Sequence, residues 1–163
     1  MKTQLLTYLT ALLLTGAVVQ AAHHANTESK GNCADGLIGH YFATQEALAA
    51  DNLETAQASA KLLMAAHKNN PCAQGVGKSA QNIMKASSIE DARVAFKTLS
   101  DTVIPLVEQN GVSGGEAHLV HCPMAFEFSG ASWLQKDKSV ANPYFGSEMF
   151  SCGAVKESFG QAK

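Results

Sequence analysis

Asp51-Asn-Leu-Glu-Thr-Ala-Gln-Ala-Ser-Ala-Lys-Leu-Leu-Met64 decides the fold of this chain. Asp51 or Asn52 supplies a capping side chain, and Glu54 stands three residues beyond Asp51, as in a capping box. The residues that follow repeat apolar groups at helical steps, Leu53, Ala56, Ala60, Leu63 and Met64, until Asn69, Asn70 and Pro71 end the pattern. Upstream, from Ala34 to Ala50, a second stripe runs Leu37, Ile38, Tyr41, Phe42 and Leu48, enough to bury one helical face. The connection between the two is too short for anything but an antiparallel hairpin, so the start of the first helix lies beside the end of the second.

Cys33 and Cys72 occupy those two positions. In an exported chain the expected outcome is a disulfide closing a loop of about 40 residues, which the chain-entropy model values at about 4 kcal/mol. Two separate thiols and a metal pair are the alternatives. A short helix is expected over Gly77 to Lys85, and a longer one after Ser87 and Ser88, where Glu90 and Asp91 complete capping boxes. Its face, Ile89, Ala92, Phe96, Leu99, Val103 and Leu106, keeps three- and four-residue steps until Asn110 and Gly111, with Pro105 bending the last turn.

Working outward to the start of the chain, Lys2 precedes an apolar stretch from Leu5 to Val19 that gives way to Ala21 and Ala22, the order of a secretory signal over residues 1–22. That run is shorter than the roughly 20 residues needed to span a bilayer, so the expectation is an exported chain, periplasmic or secreted, not embedded in a membrane. Residues 23–32 read as a flexible lead-in and 33–163 as one helical domain. Cleavage after Ala21 would leave histidine at the third position, His24, a square-planar Cu(II) or Ni(II) motif; cleavage after Ala22 would destroy it.

The 163 residues are 46% hydrophobic and 16% charged, which excludes a disordered chain. Twelve basic against fourteen acidic residues leave no excess positive charge for a phosphate backbone, so no nucleic-acid partner is expected. From Val112 helical periodicity is absent. The expectation there is a short extended segment within His118 to Phe128, a long ordered loop carrying Trp133, Tyr144 and Phe145, and a final helix from Gly153 to Phe159. The fold class expected is therefore all-α: an antiparallel helical bundle followed by an irregular, loop-rich motif region (112–153) and a short terminal helix.

Chemistry is concentrated in that region, in His118-Leu-Val-His-Cys-Pro-Met124 and Met149-Phe-Ser-Cys152. Thiolate and thioether sulfur are soft donors suited to Cu(I), and no carboxylate cluster points to Mg or Ca. An extended Cys122-Pro123-Met124 would put both sulfurs on one face about 7 Å apart. Met149 and Cys152 have the spacing of one helical turn. Together they could form a four-sulfur site, with His121 or His118 as nitrogen alternatives. Equally, Cys122 and Cys152 could form a second disulfide, and the methionines could fill the core. There is no Cys-x-x-Cys pair, Gly-x-Ser-x-Gly or His-Glu-x-x-His motif, so an enzyme is not expected.

Cys122-Pro-Met-Ala125, Gly130-Ala-Ser-Trp-Leu-Gln135, Asn142-Pro-Tyr-Phe-Gly146, Met149 and Cys152-Gly153 carry a resemblance. Tyr41 with Ala47-Leu48, Asp51-Asn-Leu-Glu54, and Ala95-Phe96 with Leu99-Ser100 extend it through the helices. The chain resembles an uncharacterised domain found alone in exported bacterial proteins and also attached to periplasmic adaptor subunits of copper/silver efflux pumps of the membrane-fusion type. The resemblance implies a periplasmic helical domain that handles soft metal, with Cys122, Met124, Met149 and Cys152 at the motif positions. It also implies an efflux adaptor or a metallochaperone as partner. Cys33 and Cys72 lie outside that pattern, and no adaptor barrel or hairpin region is present in the sequence.

Overall fold

The computed structural model describes residues 33–70 and 73–160. The expected signal (1–22), the lead-in (23–32) and Cys72 lie outside the described residues. Four helices come first: α1 (Ile38–Ala49), α2 (Leu53–His67), α3 (Val76–Lys85) and α4 (Ile89–Asn110). Three strands follow: β1 (Ala117–Cys122), β2 (Ala131–Gln135) and β3 (Ala154–Phe159).

The capping side chains act where the helices start. Asn52 accepts from the Thr55 N–H at 2.9 Å, and Ser88 accepts from the Asp91 N–H at 3.1 Å, each satisfying one of the first-turn donors that a helix leaves unpaired. Helix α1 begins four residues later than expected, because Ala34 to Leu37 form a turn in which the Ala34 carbonyl accepts from Leu37 and Ile38. Each helix packs chiefly on its neighbour in sequence, α1 on α2, α2 on α3, α3 on α4. The shared core holds Leu37, Tyr41 and Leu48, Ala56, Ala60 and Leu63, Val76 and Ile83, and Phe96, Leu99 and Val103. Pro105 lies inside α4, near its end.

The all-α expectation is wrong. The second half forms a three-stranded antiparallel sheet in the order β2-β1-β3, so the fold is mixed, with a helical bundle on one side of a small sheet. The stretch read as a loop around Trp133 is β2, in register with β1 as Val120 opposite Trp133 and Cys122 opposite Ala131. The expected last helix is β3, which pairs His118 with Ser158 and His121 with Ala154 across a bulge between Leu119 and Val120. Neither strand announces itself by alternation. In β2 four of five residues are buried, and β3 is exposed along almost its whole length, so its place is set by main-chain bonds to β1.

Strand β2 docks the sheet on α1 and α4. The buried Tyr41 hydroxyl lies 2.7 Å from Ser100 Oγ and accepts from the Leu134 N–H at 3.1 Å, linking α1, α4 and β2. Burial pushes its phenol well above the ordinary range. An aromatic chain continues from Tyr41 through Phe96 and Tyr144 to Trp133, with Tyr144 and Trp133 edge to face at 5.6 Å. Buried Gln135 accepts from Trp133 Nε1 and the Ala141 N–H and donates to the carbonyls of Asp137 and Ser139, folding the segment after β2 onto itself.

Candidate metal centre

Cys122 is the last residue of β1 and is fully buried. The strand cannot carry on through Met124 as expected, because Met124 already has helical backbone angles (φ −89°, ψ −16°) and opens a tight reversal. Phe126, Glu127 and Phe128 then take left-handed angles in succession (φ 51°, 55° and 65°), and Gly130 completes the return to β2. Three bulky residues in that region are strained by about 1–2 kcal/mol each. The turn leaves Met124 at the surface, 38% exposed, and Phe128 projecting, 77% exposed.

Cys152 reaches the same place from the other side of the sheet. It follows a short 3-10 turn, Gly146–Met149, and its N–H donates to the Met149 carbonyl at 3.0 Å. Its Sγ lies 2.8 Å from Cys122 Sγ and 3.9 Å from Met124 Sδ, although the thiols are 30 residues apart in sequence. Both cysteines are free thiols. The thiol–thiol contact, with partial burial and the repulsion that a Cys122 charge would add, pushes the Cys152 thiol up to about 11. The three sulfurs therefore form a ladder from the rim, Met124, through half-buried Cys152, to Cys122 on the core side.

Two expected members do not join this group. Met149 shares a turn with Cys152, whose N–H donates to the Met149 carbonyl, but among the described residues no hydrogen bond links its sulfur to the other three. His121 points from the opposite face of β1, where its Nδ1 lies 3.0 Å from Ser132 Oγ and its ring packs on Gly130. A side chain at Gly130 would place Cβ 2.9 Å from His121 Cε1. His118 is buried, with Nδ1 2.8 Å from Ser158 Oγ and Nε2 3.6 Å from a Glu116 carboxylate oxygen. It ties β1 to β3 away from the sulfurs.

Cys33 is disulfide-bonded; Cys72, its expected partner, lies outside the described residues.

Several residues that position the sulfurs carried no chemical signal in the sequence. Gly153 takes φ 146° and lets β3 lie over the floor of the site: a Cβ there would come 2.9 Å from Trp133 Cη2 and 3.0 Å from Val120 Cγ1. Asp51, itself left-handed at φ 56°, accepts from Arg93 and from the Ser147 N–H, while Arg93 also donates to the carbonyls of Pro143 and Leu48. Bonds from Ser147, then the Arg93 guanidinium, hold the Asp51 carboxyl below the usual carboxylate range. This lock pins the loop before Cys152 to the junction of α1 and α2. Buried Asn142 ties the ends of that loop together. Asn142 belongs to the Asn-Pro-Tyr-Phe-Gly motif that carries the resemblance, but the aromatic residues of that stretch read as packing and no role attached to the amide.

Two thiols and one thioether suit a soft monovalent ion that accepts few ligands. Among the described residues no group of three or more His, Cys, Asp or Glu side chains is placed to hold a metal ion. The same geometry allows the two thiols to close a disulfide.

Residues 37–115 match a family model described as a protein of unknown function (DUF3347). That match spans α1 to α4 and ends before β1, so the helical bundle lies within it and the sulfur residues lie beyond it. No curated protein and no solved structure matches the chain. No described helix is long and apolar enough to cross a membrane.

Proposed function

We propose that this chain is an exported, non-enzymatic protein that binds Cu(I), and Ag(I) by the same chemistry, and that it buffers the ion or delivers it to an efflux adaptor or metallochaperone. The meeting of Cys122, Cys152 and Met124 carries this reading: three soft donors from two distant segments, graded from a surface thioether to a buried thiol. A half-exposed thioether at the rim is an exchangeable ligand, which ion transfer requires and permanent storage does not. Export is supported by the apolar stretch near the start of the chain and by the bonded state of Cys33, since structural disulfides belong to oxidising compartments.

The test is a Cu(I) titration of the reduced protein against a chromophoric Cu(I) chelator, with native mass spectrometry for stoichiometry. One ion should bind, and Cys122→Ser with Cys152→Ser should abolish binding while far-ultraviolet circular dichroism keeps its helical signal. Unchanged affinity in the double variant would refute the site.

One observation favours a second reading. Thiols this close across β1 and β3 can serve as a staple, making the chain a disulfide-held interaction module without metal. Purified protein with no alkylatable thiol and no Cu(I) uptake after mild reduction would establish it.

A further inference from the structure

Cys122 is held in place by the sheet, since β1 is paired on both sides. Cys152 has no such support: it sits two residues before β3, at the end of a loop that leaves the sheet region after Gln135. Asn142 supplies what strand pairing does not. It is fully buried, and every polar group it has is bonded. Its N–H donates to the Phe150 carbonyl at 2.7 Å and its Nδ2 to the Cys152 carbonyl at 2.7 Å. Its Oδ1 accepts from the N–H groups of Tyr144 and Phe145 at 2.8 and 3.2 Å, and its carbonyl accepts from the Gly146 N–H at 3.0 Å.

Those partners divide into two sets. Tyr144 belongs to the core, with its hydroxyl donating to the Ser132 carbonyl and its ring against Trp133, while Phe150 and Cys152 belong to the far end of the loop. Pro143 restricts the Asn142 backbone to extended angles before folding begins. A leucine would fill the same space, but only an amide can accept from one set and donate to the other.

We infer that Asn142 is the positioning residue of the thiol pair: by gripping the Cys152 carbonyl from a core-anchored turn, it holds Cys152 Sγ against Cys122 Sγ. This rests on reading Cys122 and Cys152 as the functional pair. Asn142 touches neither sulfur, so its effect is on how often the thiols meet, which is an effective concentration. Any reaction that joins them, by an ion or by a covalent bond, should weaken when the grip is lost.

The test needs no metal. The full chain is equilibrated with reduced and oxidised glutathione, and the Cys122–Cys152 bond is scored by alkylation and peptide mass. One thiolate attacks oxidised glutathione and expels one glutathione thiolate; the second attacks the mixed disulfide and expels the other, and the protein's two thiol protons end on the two released glutathiones. Asn142→Ala should lower the equilibrium constant for ring closure by about tenfold or more. Asn142→Ser keeps a side-chain oxygen for the Tyr144 N–H yet cannot reach the Cys152 carbonyl; it should show a similar loss, and it carries the test should the alanine variant unfold. Ile83→Ala, which weakens the core on α3, a helix that packs on α2 and α4, should leave the constant within about twofold of wild type, separating positioning from general stability. Asn142 variants with the wild-type constant would overturn the inference, as would a loss equally large in Ile83→Ala. A wild-type chain that closes the bond normally but takes up no Cu(I) would refute only the metal reading.

Discussion

Replacing Gly146 with alanine tests whether the loop that carries Cys152 is locked to the bundle as described. Gly146 adopts φ 59°, and a Cβ built on it would run into the Asp51 carboxylate and the Arg93 guanidinium. Two costs follow. Alanine in the left-handed region is strained by about 1 kcal/mol relative to glycine. Displacing Asp51 also breaks its charge-assisted bonds to Arg93 and Ser147. Such bonds are worth about 1.5–3 kcal/mol when sheltered, but the Asp51 side chain is 39% exposed, which reduces the figure to about 1–2 kcal/mol. The variant should therefore be about 2–3 kcal/mol less stable in urea titration, with a midpoint temperature lowered by roughly 10 °C. The second half of the experiment is a cycle with Asp51→Gly, which removes the carboxylate and suits the φ of 56° at that position. In that background Gly146→Ala should cost only its backbone strain, about 1 kcal/mol, leaving a coupling of about 1–2 kcal/mol. Equal costs in both backgrounds would show that Gly146 is not required by the ion pair, and the lock would be refuted.

Asp51 also sets an acid limit. Its folded-state pKa is lowered, so the stability it contributes is present above the unfolded value near 3.9 and is lost as pH falls from there through the folded value. The stability gap between wild type and Asp51→Asn should hold from pH 7 to about 5 and close below about pH 4, as read from urea midpoints. Tyr41→Phe should cost about 1–3 kcal/mol by leaving the Leu134 N–H and the Ser100 hydroxyl without their buried partner, measured by denaturant unfolding. Alkylation of Cys152 in the reduced protein should stay slow at neutral pH and rise toward pH 11. In Cys122→Ser the profile should move down toward an ordinary thiol, because Cys122 is the main cause of the shift.

How far the sequence alone reached differs between the two halves for a physical reason. Helices α2 and α4 were legible because a capping side chain and a three-to-four-residue apolar rhythm point to the same start, and Asn52 and Ser88 do cap them. Strand β3 was not legible. Its sequence, Ala-Val-Lys-Glu-Ser-Phe, buries almost nothing, so no hydrophobic period records the pairing that holds it. Trp133 in β2 read as loop packing for the converse reason, since burial on both faces erases alternation. At the site, sulfur chemistry named Cys122, Cys152 and Met124, and these three do meet. The spacing argument for Cys122 and Met124 did not hold, since Met124 is not extended, and His121 faces Ser132 instead of the sulfurs. What assembles the sulfurs is Asn142, Gly153 and the Asp51–Arg93 lock, residues whose partners are main-chain groups or side chains far away in sequence, so their types alone do not announce the role.

The pattern of contacts also orders events during folding. The helices touch mainly their sequence neighbours, so their loops are short and close early. The sheet rests on connections such as Tyr41 to Leu134 and Gln45 to the Ala141 carbonyl, which span 93 and 96 residues, and on β3, the last strand in the order of elements. Cys122 and Cys152 are 30 residues apart, so their own loop is much shorter than these closures. What the docked sheet adds is not nearness along the chain but a fixed approach of one sulfur to the other, so an ion or a bond held between them in that geometry marks a chain whose sheet has already settled on the bundle.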